Sequence, residues 1–151
     1  MNQALAKQHE LRAATGSLRI LLAEGDGELR RLLSQALERD GHQVVSVRDG
    51  GALLEELAAT IVERTRPQFD LVICEQGLPG IQGMTVLSGL RARDNEIRFV
   101  LICADPVMQE RARRLGGVVL DQPVDAEAVR GAVRLATFAG GESKQGSEPT
   151  F

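Results

Sequence analysis

Four short polar clusters hold the side chains from which chemistry could be built: Glu24-Gly25-Asp26, Glu75-Gln76-Gly77, Cys103-Ala104-Asp105 and Asp121-Gln122-Pro123. The carboxylates of Glu24, Asp26 and Glu75 are hard oxygen donors of the kind that hold magnesium or calcium. Acids at loop ends are equally ordinary as solvated groups, and on that preferred reading neither a metal site nor a cofactor is expected. Cys74 and Cys103 suggest a redox pair, but neighbouring side chains of a strand face opposite ways. If Glu75 faces a pocket, Cys74 faces the core, so a structural role is expected for the thiols. Two cysteines cannot make a zinc cluster, and His9 and His42 stand at no ligand spacing from either. Gly25 and Gly27 open a glycine-containing turn, but Arg30 occupies the place of the third glycine that a dinucleotide fingerprint needs.

Composition narrows the options further. The 18 basic residues include only two lysines, Lys7 and Lys144, both near the ends of the chain, so no interior lysine can meet a phosphate. Tyrosine and tryptophan are absent, which removes any mechanism needing a phenol or an indole. A length of 151 residues suits one domain with a tail. Hydrophobic residues at 43% form no run approaching the ~20 that span a bilayer. A net charge of −3 argues against a nucleic-acid partner. The first residues have scattered charges and no continuous apolar block, so they do not read as a secretory signal, and a cytoplasmic location is expected.

The clusters must be positioned by something, and each follows a short apolar run. Strand-length runs occur at Ile20–Ala23, Val44–Val47, Leu71–Cys74, Phe99–Cys103 and Val118–Leu120. Helical periodicity fills the intervals. Leu29, Leu32, Leu33, Ala36 and Leu37 line one helix, which Gly41 stops. Leu53, Leu57 and Ile61 form one row of a long second helix, and Leu54, Ala58 and Val62 the next. Further helices are expected at about Met84–Arg91 and Pro106–Leu115, and a fifth through Ala126, Val129, Val133 and Ala136. Strand and helix alternating with crossover-length connections predict an α/β fold, a doubly wound parallel sheet with helices on both faces. Residues 1–17 read as an arm or short helix and 18–138 as the domain. The Gly- and Ser-rich polar residues 139–151 read as a disordered tail.

The stretches RILLAEGDGELRRLL, GHQVVSVRDG, DLVICEQGLPGIQGMTVLSGLR, FVLICA and VVLDQPVD together resemble the receiver domain of bacterial two-component response regulators, over roughly residues 18–137. The resemblance implies a five-stranded, flavodoxin-like sheet in the order 2-1-3-4-5. It also implies a site where two acids after the first strand and an aspartate ending the third bind magnesium, the aspartate then accepting a phosphoryl group. A hydroxyl ending the fourth strand and a lysine before the fifth-strand proline hold the phosphoryl oxygens in that family. Matched by position, the first acid is Glu24, the second is Gly25 and the acceptor is Glu75. The hydroxyl position carries Cys103, a weak donor, and the lysine position Gln122. The aromatic switch position carries Val119.

Phosphoryl transfer depends on positioned positive charge and metal. The resemblance therefore implies a non-enzymatic pseudo-receiver with a degenerate pocket of Glu24, Gly25, Asp26, Glu75, Cys103 and Gln122. Its expected function is to bind a protein partner in bacterial signalling without phosphorylation. Alternatives are an atypical receiver still phosphorylated at Glu75 or a nearby acid, and a small-ligand or metal binder. Glu75 as a mimic of the phosphorylated state is a sharper reading, weighed below that of a solvated acid. Partner docking is expected at Arg111, Arg113 and Arg114 on the fourth helix and at Val119. A second candidate surface is the second helix, whose added portion is expected over Thr60–Thr65, with Ile61 and Val62 outward.

Overall fold

A computed structural model describes residues 16–63 and 65–146, with side chains to residue 137. The strands are β1 (Arg19–Ala23), β2 (Gln43–Val47), β3 (Leu71–Glu75), β4 (Arg98–Ile102) and β5 (Val118–Leu120). Between and after them run α1 (Gly27–Arg39), α2 (Gly50–Val62), α3 (Gly83–Ala92), α4 (Pro106–Arg114) and α5 (Ala126–Gly146). All strand pairs are parallel and the sheet order is β2-β1-β3-β4-β5, as expected.

Residues Ile20 to Ala23, Leu71 to Cys74 and Phe99 to Ile102 are at most 1% exposed, which is why the central strands read as unbroken apolar runs rather than alternating ones. Their side chains divide by parity between two cores. Leu21, Ala23, Val72, Cys74, Phe99 and Leu101 pack with Leu53 and Leu57 of α2, Leu87 of α3 and Ala112 of α4. Ile20, Leu22, Leu71, Ile73, Val100 and Ile102 pack on the other face with Leu33 and Leu37 of α1 and Val129 and Val133 of α5.

Helix ends follow local chemistry. Gly41, at φ +94°, closes α1 in the left-handed conformation that suits glycine. Its N–H bonds the Glu38 carbonyl, and that of His42 bonds the Leu37 carbonyl. Leu32, expected on the buried row of α1, is instead 56% exposed, because one sheet covers only the stripe through Leu33 and Leu37.

The second helix is shorter than expected. It stops at Val62, capped by Glu63, so Thr65 lies in the following turn and not in an extension. Gln68 Nε2 donates to the Thr60 carbonyl at 2.9 Å, turning the chain back towards β3. Thr60 is buried in place of Ile61, and Ile61 and Val62 are exposed. The tail boundary also changes. Backbone helix continues past Ala139 to Gly146, because extending a formed helix needs one residue ordered per new hydrogen bond. Residues 147–151 and the arm over 1–15 lie outside the described residues, and the domain is ordered from Gly16.

The loop after β3 is fastened to α2 where Gly50 N–H donates to the Pro79 carbonyl at 2.7 Å. A Cβ on Gly50 would lie 2.8 Å from the Ile81 backbone nitrogen, a contact that flexing a side chain cannot relieve. Gly50→Ala is expected to lower stability by about 1–3 kcal/mol, the usual cost of overpacking, read as a lower urea midpoint.

Candidate functional site

In open parallel sheets ligands bind beyond the carboxyl ends of the strands. There a cleft of about 470 Å³ is lined by Glu24, Asp26, Glu75 and Gln122, with Leu29, Pro123 and Val124. The register that pairs Ala23 with Cys74 brings Glu24 and Glu75 out of the sheet side by side.

Glu24 is only 3% exposed. Its N–H continues the β1–β2 ladder to the Val47 carbonyl. Its carboxylate accepts from Asp26 N–H at 3.1 Å, and Arg30 Nη1 donates to its backbone carbonyl at 2.8 Å. The nearest cation therefore serves the main chain and not the carboxylates. Glu75 Oε2 accepts from Gly25 N–H at 2.7 Å. The two glutamates also lie within hydrogen-bonding reach of each other. Burial, reinforced by the charge of Glu75 and the bond to it, pushes Glu24 up to about 7 against the opposing Asp26 N–H. Glu24 is therefore partly protonated around neutral pH, because burial and a neighbouring carboxylate both disfavour its charged form.

Gly25 and Glu75 depend on each other. A Cβ at position 25 would come within 2.9 Å of Glu75 Oε2 and 3.1 Å of Pro79 Cδ. The missing side chain is what makes room for the longer acid. Asp26 does not converge with them. Its Oδ1 accepts from Glu28 N–H at 3.0 Å and Leu29 N–H at 3.2 Å, the N-cap of α1. Among the described residues no three acid, cysteine or histidine side chains are arranged to hold a metal ion. Together with the helix-capping of Asp26 and the Gly25 contact of Glu75, that geometry does not fit the magnesium the receiver resemblance implies.

Gln122, joined to Pro123 by a cis peptide, lines the cleft. Cys103 does not. It is 1% exposed within the α2–α4 core, and its Sγ accepts from Asp105 N–H at 3.4 Å. Cys74 is wholly buried on the same face, and desolvation pushes its thiol up to about 12. Both are free thiols. The arginines stand on the outer side of α4, with Arg113 and Arg114 at 4.0 and 3.4 Å from Glu110. Val119 is half-buried against the core and presents little side chain outward.

Sequence reading missed two polar residues near the site. Gln76 Oε1 accepts from Met84 N–H at 2.8 Å, capping α3 from outside because Gln82 at its N-cap makes no side-chain cap. Gln109 on α4 is nearly buried and bonds both the Cys103 carbonyl and Asp121. A polar residue three positions before the buried Ala112, on the same helix face, was the available signal, and it is a weak one.

The topology and the acidic cleft at the strand ends define a doubly wound α/β module of the flavodoxin-like class. The response regulator receiver domain profile matches residues 20–134, and the chain belongs to that family. It is 27% identical over 119 residues to sporulation initiation phosphotransferase F of Bacillus subtilis, covering 77% of this chain and 90% of that one. It is 32% identical over 114 residues to response regulator protein FleR of Pseudomonas aeruginosa, covering 74% of this chain and 23% of the relative. The fold matches the chemotaxis response regulator CheY4 of Vibrio cholerae with a TM-score of 0.66 at 16% identity, over 80% of this chain and 98% of that one. It also matches a CheY-like receiver domain from Methanospirillum hungatei, with a TM-score of 0.70 at 17% identity over 86% and 99%. Receiver domains act in two-component signalling, and this chain is one of them. No described helix is long and apolar enough to cross a membrane.

Because the folded state raises Glu24 above its ordinary 4.5, the carboxyl pair contributes stability that is fully present below about 4.5 and lost as pH rises through about 7. The urea midpoint is expected to fall between pH 5 and pH 8 by the equivalent of roughly 1–3 kcal/mol. Glu24→Gln and Glu75→Gln should flatten this slope, and Glu75→Gln should be the more stable protein at pH 8.

Proposed function

We propose that this receiver domain works as a pseudo-receiver: a phosphorylation-independent, non-enzymatic module that binds a protein partner in a bacterial, cytoplasmic signalling pathway. The observation that carries this reading is the seating of Glu75 on the Gly25 N–H, beside a partly protonated Glu24 and, among the described residues, with no ion pair to either carboxylate. In-line phosphoryl transfer needs an exposed acceptor and several positive charges around the transferred group. Here the acceptor position is occupied by a longer acid already hydrogen-bonded, and the lysine position by Gln122. Both lysines of the chain lie outside positions 8–143, so none belongs to the segments that line the cleft.

Cys103 is turned into the core and cannot follow a phosphoryl group as a hydroxyl would. Val119 is no aromatic lever. With those moving parts replaced, the face made by α4, β5 and α5 has no phosphorylation-driven rearrangement to wait for. Arg111, Arg113 and Arg114 supply exposed guanidinium groups on it, and arginine is enriched among residues that dominate interface energy.

Incubation with acetyl phosphate and magnesium is expected to leave the intact mass unchanged. A stable gain of one phosphoryl group at Glu75 or Asp26 would overturn the reading in favour of an atypical phosphorylated receiver. Against the partner recovered from the native cell, Arg113→Glu is expected to weaken binding at least tenfold, as hot-spot losses do, with folding intact by circular dichroism. Unaltered affinity after reversing all three arginines would move the docking site off α4.

A further inference from the structure

Helix α4 is held at both ends by buried polar side chains that belong to no phosphorylation site. At its amino end, Gln109 Nε2 donates to the Cys103 carbonyl and to Asp121 Oδ1, each at 2.6 Å. Both partners are acceptors, so the side-chain NH₂ must face them, and its two hydrogens are fully used. One bond ends on the chain leaving β4 and the other on the chain leaving β5. At the carboxyl end, the Arg91 side chain is 9% exposed. Its Nε donates to the Leu115 carbonyl at 2.7 Å, and its Nη1 to the Asn95 carbonyl at 2.8 Å. Leu115 is the residue that caps α4, so Arg91 ties that cap to α3.

We propose that Gln109 is a clamp between the β4–α4 and β5–α5 loops which, with Arg91 at the far end of α4, keeps the α4–β5–α5 face in a single arrangement. Asp121 makes the clamp strong. Its carboxylate is the acceptor, at an exposed position, and hydrogen bonds to carboxylates are about twice as strong as neutral ones. Loss of Gln109 would leave the Cys103 carbonyl without that donor in a buried setting. That the clamped face serves partner docking rests on the function proposed above; the clamp itself does not.

The test is amide hydrogen exchange on the full chain, comparing Gln109→Leu, Asp121→Ala and Asp121→Asn with wild type. Gln109→Leu and Asp121→Ala are expected to speed exchange roughly tenfold across residues 103–107 and 120–124, the equivalent of one charge-assisted bond. The α1 amides should stay unchanged. Asp121→Asn retains a side-chain carbonyl acceptor without the charge and should fall between wild type and Asp121→Ala. Asp121 is exposed, so its variants fold even if Gln109→Leu does not. Exchange within about twofold of wild type in both loops for Asp121→Ala, or an equal rise in α1, would overturn the clamp. Uptake of a phosphoryl group from acetyl phosphate would overturn the proposed function and leave this result standing.

Discussion

Everything in this domain follows from burying β1, β3 and β4 on both faces. Three adjacent strands with almost no exposed surface carry no charged side chain between their end residues. Polar groups are displaced to the strand ends, where the parallel arrangement puts all carboxyl ends at one pole. The pairing of β1 with β3 then fixes the distance between the residues that leave the sheet there. Glu24 and Glu75 meet because the apolar residues before them pair in register, and not because the two acids attract.

Two acids forced together need something to relieve their repulsion. A receiver with a complete site relieves it with a metal ion and a lysine, as the family resemblance implies. Here a partly protonated Glu24 and the N–H groups of Gly25 and Asp26 relieve it. This solution is internally consistent, since restoring a side chain at position 25 would displace Glu75. It also accounts for Asp26, which is free to cap α1.

Side-chain bonds also tie the two ends of α4 to neighbouring loops. Cys103 is absorbed into the core, and the loop it leads into is bonded through Gln109 to Asp121. Arg91 secures the other end of the helix. Gln109 and the Arg91 side chain are largely buried and hydrogen-bonded, and such polar contacts specify one packing arrangement over its neighbours.

The fold class, the five strands, the extents of α3 and α4 and the absence of an interior lysine were all legible in the sequence, because apolar runs and residue counts are local properties. So was the grouping of Glu24, Glu75 and Gln122, once strand ends were treated as the site and the family resemblance supplied the order. Local pattern misjudged the carboxyl end of α2, where Ile61 and Val62 continue the helical period but Gln68 and the burial of Thr60 turn the chain away. Only the tertiary structure decided which way side chains point: Asp26 to its own helix, Cys103 to the core, Glu75 onto a backbone N–H. Those choices depend on which groups distant in sequence arrive within about 3 Å, the range of a hydrogen bond, and spacing along one chain carries no such information.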